Sequence, residues 1–175
     1  MPDLDSIILI KGDITQQNTE AIVNAANSSL LGGGGVDSAI HRAAGPELLE
    51  ECKKIGGCAT GQAVITKGYN LKAKYIIHTV GPVWHGEDAS EDDLKMCYFN
   101  SLKLADENGI KSIAFPSIST GAYGFPIDKA ARIAMNTVYK FLNSGSSVDR
   151  VIFVLFSHVD YDVYAVTLDH ASATW

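Results

Sequence analysis

Asn24-Ala-Ala-Asn27-Ser-Ser-Leu-Leu-Gly32-Gly33-Gly34-Gly35-Val36-Asp37 joins an apolar, strand-like run (Ala21 to Val23) to a helix-like run (Val36 to Ala44). Four successive glycines carry no side chains, so their backbone N–H groups can close around an anion. The helix that follows adds a partial positive charge aimed the same way. The stretch reads as a seat for phosphate between a strand and a helix. Asp37 falls in the first turn of that helix, where a carboxylate repels phosphate. A reacting centre beside the phosphate is one reason for it; stabilisation of the helix start, worth roughly 0.3–1 kcal/mol, is another. His41, one turn on at i+4, shares the face of Asp37 and is read as structural, outside the catalytic set.

The same strand, loop, helix grammar recurs along the chain. Ile7 to Ile10, Ala21 to Val23, Ala63 to Thr66, Tyr75 to Val80, Ser112 to Phe115 and Val151 to Phe156 read as strands, and most are apolar without alternation. Strands of that kind belong to a sheet covered on both faces. Leu94, Cys97, Ser101, Leu102 and Ala105 recur at helical spacing, as do Ala130, Ile133, Ala134, Thr137, Val138 and Phe141. The expected architecture is a three-layer α/β/α sandwich with a mixed, mostly parallel central sheet, whose ligands bind at the carboxyl ends of the strands. One domain is expected over residues 1–175, with surface loops at Gly56-Gly57 and His85 to Ser90 and a frayed tail at about residues 169–175.

A second glycine loop follows the Ser112 to Phe115 strand: Ser117-Ile-Ser119-Thr120-Gly121-Ala122-Tyr123-Gly124-Phe125-Pro126. Either cluster alone is equally well a tight turn; two leaving one sheet edge can grip a pyrophosphate from both sides. Neither matches the P-loop pattern, and Gly33-x-Gly35 lacks the third glycine of a dinucleotide fingerprint because Ser38 stands there. No Gly-x-Ser-x-Gly elbow is present, which favours water over a covalent nucleophile. Asn24 and Asn27, three apart and expected just past the strand, suit either sugar hydroxyls or local turn capping. Asp13, in Gly12-Asp13-Ile14-Thr15, is placed to accept from an exocyclic amine such as that of adenine, or to cap a helix. Phe156, at the end of the last strand, either stacks on a base or plugs the core.

The 175 residues are 46% hydrophobic and 19% charged, with a net charge of −6, which argues against a general nucleic-acid binder. An anionic ligand is then held more by backbone N–H groups than by Lys and Arg. The N-terminus shows no basic region followed by an apolar stretch, and no run is long enough to span a membrane, so a cytoplasmic location and no membrane partner are expected. Cys52, Cys58 and Cys97 lack metal or disulfide spacing, and the five histidines show none either; reduced thiols and no metal are expected. No exposed apolar helix face is evident, and a monomer is expected.

Taken together, Gly12-Asp-Ile-Thr15, Val23-Asn-Ala-Ala-Asn27, Leu31 to Gly45, His78-Thr-Val-Gly-Pro82 and Pro116 to Pro126 resemble, in order and over nearly the whole chain, the macro domains, and among them the MacroD-type hydrolases. Ala59 departs from the Pro of many relatives, and the Lys53 to Cys58 segment is short. The resemblance implies an ADP-ribose pocket and removal of groups esterified to the distal ribose, with O-acetyl-ADP-ribose and ADP-ribose on acidic side chains of proteins as substrates and no cofactor. Position by position, Asp13 with Ile14 resembles the adenine reader and Phe156 the aromatic that stacks on it. Gly33, Gly34, Gly35 and Val36 resemble the first phosphate loop, and Ser119, Thr120, Gly121, Ala122, Tyr123 and Gly124 the second, with Tyr123 framing the distal ribose. Asn24 and Asn27 resemble the distal-ribose pair and, with Asp37, make up the implied catalytic set, in which Asp37 resembles the catalytic acid, orienting and deprotonating water alone or with a ligand phosphate. A non-catalytic ADP-ribose reader would share the same loops.

Overall fold

The computed structural model describes residues 4–86 and 88–175. Six strands form one sheet: β1 (Ile7–Lys11), β2 (Ala21–Ala26), β3 (Ala63–Lys67), β4 (Tyr75–Val80), β5 (Ser112–Phe115) and β6 (Arg150–Leu155). Their order is β1-β6-β5-β2-β4-β3, with β3 antiparallel to β4 and every other pair parallel. The continuous apolar runs are explained by burial on both faces. Helices α1 (Gly35–Ala44) and α2 (Pro46–Ile55) cover one face, where Ile40, Ala44, Leu48 and Cys52 pack on Ile22, Ile76, Ala114 and Val154. Helices α3 (Asp88–Glu107), α4 (Ile127–Leu142) and α5 (His158–Ser172) cover the other, where Leu94, Tyr98, Ala134 and Tyr164 meet Val23, Ile77, Phe115 and Phe153. This is the expected three-layer α/β/α sandwich with a mixed, mostly parallel sheet.

Four details differ from expectation. Strand β2 runs three residues past Val23, so Asn24 is inside the sheet and not beyond it. Helix α2, absent from the pattern reading, is a short amphipathic turn set begun by Pro46 and stopped by Gly56, whose φ of +89° only glycine adopts readily. The tail is not frayed: α5 continues through Ser172, capped at its start by Ser157 Oγ accepting from Asp160 N–H, and Trp175 stacks on Tyr139 with ring centres 3.8 Å apart. Within the expected loop of residues 85–90, Glu87 lies outside the described residues, as do Met1 to Asp3 at the N-terminus, and Asp88 already begins α3.

The carboxyl ends of the five parallel strands open onto one edge. Across it lie, in sheet order, the segments that follow β1 (Gly12–Asp13), β6 (Phe156), β5 (116–126), β2 (27–34) and β4 (81–86). The expected phosphate loops, Asp13 and Phe156 lie in these segments and Asp37 in the first turn of α1, while Asn24 lies within β2.

Candidate functional site

The first loop ends at Gly34, the N-cap of α1, which offers no side-chain cap. The N–H groups of Gly35, Val36 and Asp37 open the helix and have no acceptor among the described residues. Gly32 (φ +96°) and Gly35 (φ +59°) make the turns that aim them outward. Asn27 secures the loop from inside, its Nδ2 donating to Gly32 O at 2.7 Å and its Oδ1 accepting from Ser29 Oγ at 2.6 Å. The second loop is braced from three sides: Phe125 N–H donates to Ser119 O, Trp84 N–H donates to Tyr123 O, and Thr120 and Tyr164 hydroxyls both donate to Ser117 Oγ. That bracing leaves the N–H groups of Gly121, Ala122 and Tyr123 without an acceptor among the described residues. Ser119 holds a left-handed φ of +67°, unusual for a residue with a Cβ, and its buried Oγ has no partner. Gly81 makes room for it, since a Cβ there would collide with Ser119 Oγ.

Asp37 is 3% exposed, in the first turn of α1. A buried carboxylate needs donors. Asn24, in β2 and fully buried, supplies one, its Nδ2 donating to Asp37 Oδ1 at 2.9 Å. His41 Nε2 stands 3.4 Å from the same oxygen, an ion-pair distance without hydrogen-bond geometry. Oδ2 is turned toward the glycine loop: a Cβ on Gly33 would lie 3.2 Å from it and 3.2 Å from Asn27 Nδ2. The carboxylate is thus gripped at one oxygen and turned at the other toward the first glycine loop. His41 also lines an open groove of about 500 Å³ that runs from Leu31, Gly32 and Gly33 along α1 to Gly45, Pro46 and Leu49; Asp37 is not among its lining residues.

Behind Asn24, His78 receives the second Nδ2 hydrogen at Nδ1 (3.1 Å), and its Nε2 lies 2.9 Å from Thr66 Oγ1. Burial, with His41 adding to it, lowers the His78 pKa to about 3. Sequence reading left His78 without a role of its own, because only the register Asn24↔His78 between β2 and β4 joins them. It also set His41 aside, although the structure brings His41 to the carboxylate.

The remaining candidates sit farther along the edge. Asp13 is exposed and caps a short 3-10 turn (Ile14–Gln16), its Oδ1 accepting from Thr15 N–H at 2.9 Å and Thr15 Oγ1 at 2.7 Å. Ile14 is buried in the α1 face core. Phe156 is 88% exposed just past β6, so it does not plug the core. Gly12 N–H donates to Leu155 O at 3.0 Å, which keeps Asp13 and Phe156 neighbours. Among the described residues, no helix is long and apolar enough to cross a membrane.

The family model described as Macro domain matches residues 23–134. A macro domain-containing protein of Chlorobaculum tepidum, CT2219, is 59% identical over 169 residues, 96% of this chain and 98% of that protein. The human ADP-ribose glycohydrolase MACROD2 is 56% identical over 163 residues, 91% of this chain but 38% of that protein, so the chain spans about two fifths of that relative's length. Among solved structures, the Oceanobacillus iheyensis macrodomain with ADP superposes with a TM-score of 0.92 at 47% identity, covering 95% of this chain and 92% of that one. The Trypanosoma brucei macrodomain in complex with ADP-ribose does so at 0.87 and 47% identity, covering 93% and 69%.

Proposed function

The chain belongs to the macro domain family, and from that footing we propose that it is a MacroD-type hydrolase that binds ADP-ribose along the carboxyl edge of the sheet and removes groups esterified to the distal ribose. The substrates are proteins mono-ADP-ribosylated on Asp or Glu, and O-acetyl-ADP-ribose. The order of features across the edge supports this reading. Asp13 accepts from the adenine amine, Phe156 stacks on the ring, the two loops hold the two phosphates with free N–H groups, and Asn27 and Tyr123 frame the distal ribose. The chemical class suits a net charge of −6, because neutral backbone donors bind the pyrophosphate without a basic surface.

The observation that carries the hydrolase reading is the buried Asp37 carboxylate, with Oδ1 held by Asn24 and Oδ2 turned to the loop. Binding alone gains nothing from an acid beside phosphate. Oδ2 takes a proton from a water; the hydroxide attacks the ester carbonyl or, where the ester is on the anomeric position, the anomeric carbon; the C–O bond to the leaving group breaks, the proton on Oδ2 passes to the departing oxygen, and the acid and ADP-ribose are released. Heavy-oxygen water separates the two routes, since label enters the released acid in the first and the ribose in the second. General-base help of this kind is worth about 10²–10⁴-fold, and positioning by the loops supplies the rest.

The test compares wild type with Asp37→Ala for release of ADP-ribose from a glutamate-modified protein and of acetate from O-acetyl-ADP-ribose, at matched ADP-ribose occupancy. Turnover falling by about 10²-fold or more while binding persists is the expected result. Tight binding with no turnover by wild type would make the chain a reader and overturn the proposal.

A further inference from the structure

Asn24, His78 and Thr66 stand on three adjacent strands and share the sheet face under α1. Asn24 is the register partner of His78 across β2 and β4, and Thr66 lies two residues along β3 from Val64, the partner of His78 on its other side. Period-two alternation therefore sends all three side chains to the same face, each within reach of the next. All three are buried, at 0%, 0% and 2% exposure, so none of this row meets a ligand directly through solvent.

The row has a single consistent proton arrangement. A neutral imidazole carries one N–H and one lone pair. Thr66 Oγ1 can donate its own hydrogen to Lys67 O, 3.2 Å away, which leaves its lone pairs to accept from His78 Nε2–H at 2.9 Å. Nδ1 is then an acceptor and takes one hydrogen of Asn24 Nδ2 at 3.1 Å, while the other goes to Asp37 Oδ1 at 2.9 Å. An amide turned over by 180° would set Asn24 Oδ1 against both the Nδ1 lone pair and a carboxylate. Asn24 Oδ1 is buried and has no partner, an arrangement native proteins rarely keep. The unpartnered oxygen is the mark of an amide held by its other end.

We propose that His78 is a positioning residue for Asp37: with its ring proton held on Nε2 by Thr66, its Nδ1 lone pair fixes the Asn24 amide so that Asn24 grips Asp37 Oδ1 and leaves Oδ2 free to meet water. The kinetic half of this proposal rests on the reading of Asp37 as the general base; the proton arrangement does not. Thr66 is the informative handle, because it touches neither Asn24 nor Asp37 and reaches them only through the tautomer of His78. Removing its oxygen strands the Nε2–H in the core and lets the proton move to Nδ1, where it opposes the Asn24 N–H and loosens the grip on Asp37.

The experiment combines nitrogen-15 NMR of the histidine rings in the full chain with kinetics of Thr66→Val and Thr66→Ser. In wild type, His78 is expected with Nε2 protonated and Nδ1 bare across about pH 5.5–8, the range in which an ordinary histidine titrates. Thr66→Val is expected to lower kcat about 10- to 100-fold, with ADP-ribose Kd changed by less than about twofold, and Thr66→Ser to recover most of the lost rate. A purely structural role for Thr66 would lower stability without splitting kcat from Kd. A wild-type His78 that carries its proton on Nδ1, or that becomes doubly protonated in that range, overturns the proposal, as does a Thr66→Val protein with wild-type kcat. The ring measurement needs no variant to fold. Were wild type to bind ADP-ribose without turning over, the hydrolase reading would fall, and the ring spectra would still decide the proton arrangement.

Discussion

Lowering the pH from 7.5 to 5 should cost this fold about 2 kcal/mol through His78 alone. The residue has no exposed surface, and burial, reinforced by His41, lowers its pKa from 6.5 to about 3 in the folded protein. Protonation would also put a second N–H against the Asn24 amide at Nδ1, which has only hydrogens to offer there. The unfolded chain therefore binds the proton first, and stability is lost as pH falls below 6.5, levelling off only near pH 3. At 1.36 kcal/mol for each unit of pH below 6.5, the penalty at pH 5 is about 2 kcal/mol, and at pH 7.5 it is close to zero. Urea unfolding of wild type and His78→Asn at the two pH values, without ligand, measures it. The asparagine keeps an acceptor near the position of Nδ1 and does not titrate, while every other histidine and carboxylate contributes to both proteins. Wild type should lose about 2 kcal/mol more than the variant between pH 7.5 and pH 5, at constant m-value. Equal losses in the two proteins would refute the burial argument, because a His78 that accepts a proton in the native state cannot hold a one-way hydrogen-bond row.

Two further outcomes follow from the site geometry. Phe156→Ala removes a ring that is 88% exposed, so the unfolding midpoint should barely move, while ADP-ribose Kd should rise about 5- to 150-fold, the equivalent of about 1–3 kcal/mol of base stacking; calorimetric titration checks it, and an unchanged Kd would take Phe156 out of the adenine end. Gly33→Ala places a methyl 3.2 Å from both Asp37 Oδ2 and Asn27 Nδ2 at a backbone position with no left-handed φ, so folding should lose no more than about 1 kcal/mol while acetate release slows at least about tenfold; turnover within twofold of wild type would show that the reacting water does not occupy that gap.

The strands were legible because burial on both faces writes itself as unbroken apolar runs, and all six begin within one residue of the expected start for that reason. The first glycine loop was legible because four glycines in a row between a strand and a helix have few uses, and the second because Gly121 and Gly124 repeat the strand, loop, helix order. What pattern reading misplaced were residues whose stabilising partners lie far away in sequence. Asn24 interrupts an apolar run and so looks like the start of a loop; it stays in β2 because His78, 54 positions on, accepts one of its hydrogens and Asp37 the other. Helix α2 escaped because only Leu48 and Cys52 of its ten residues are buried, too few to show a period. Phe156 could be read two ways until the end of β6 at Leu155 turned it out to solvent.

The row from Thr66 to Asp37 breaks the rule that makes the rest of the sheet readable. Three polar side chains and a carboxylate occupy positions where apolar residues would pack better, and one amide oxygen is left bare. A fold selected only for stability would have no use for this arrangement. Its polar atoms form a directed sequence that ends on one oxygen of Asp37 and leaves the other facing the glycine loop. Local inconsistency of this sort concentrates where a protein does chemistry, because a base must be held rigidly and still be available to a proton. A simple ligand platform needs the loops and the stacking ring; it has no need of a buried row beneath the sheet edge that fixes which oxygen of one carboxylate is free.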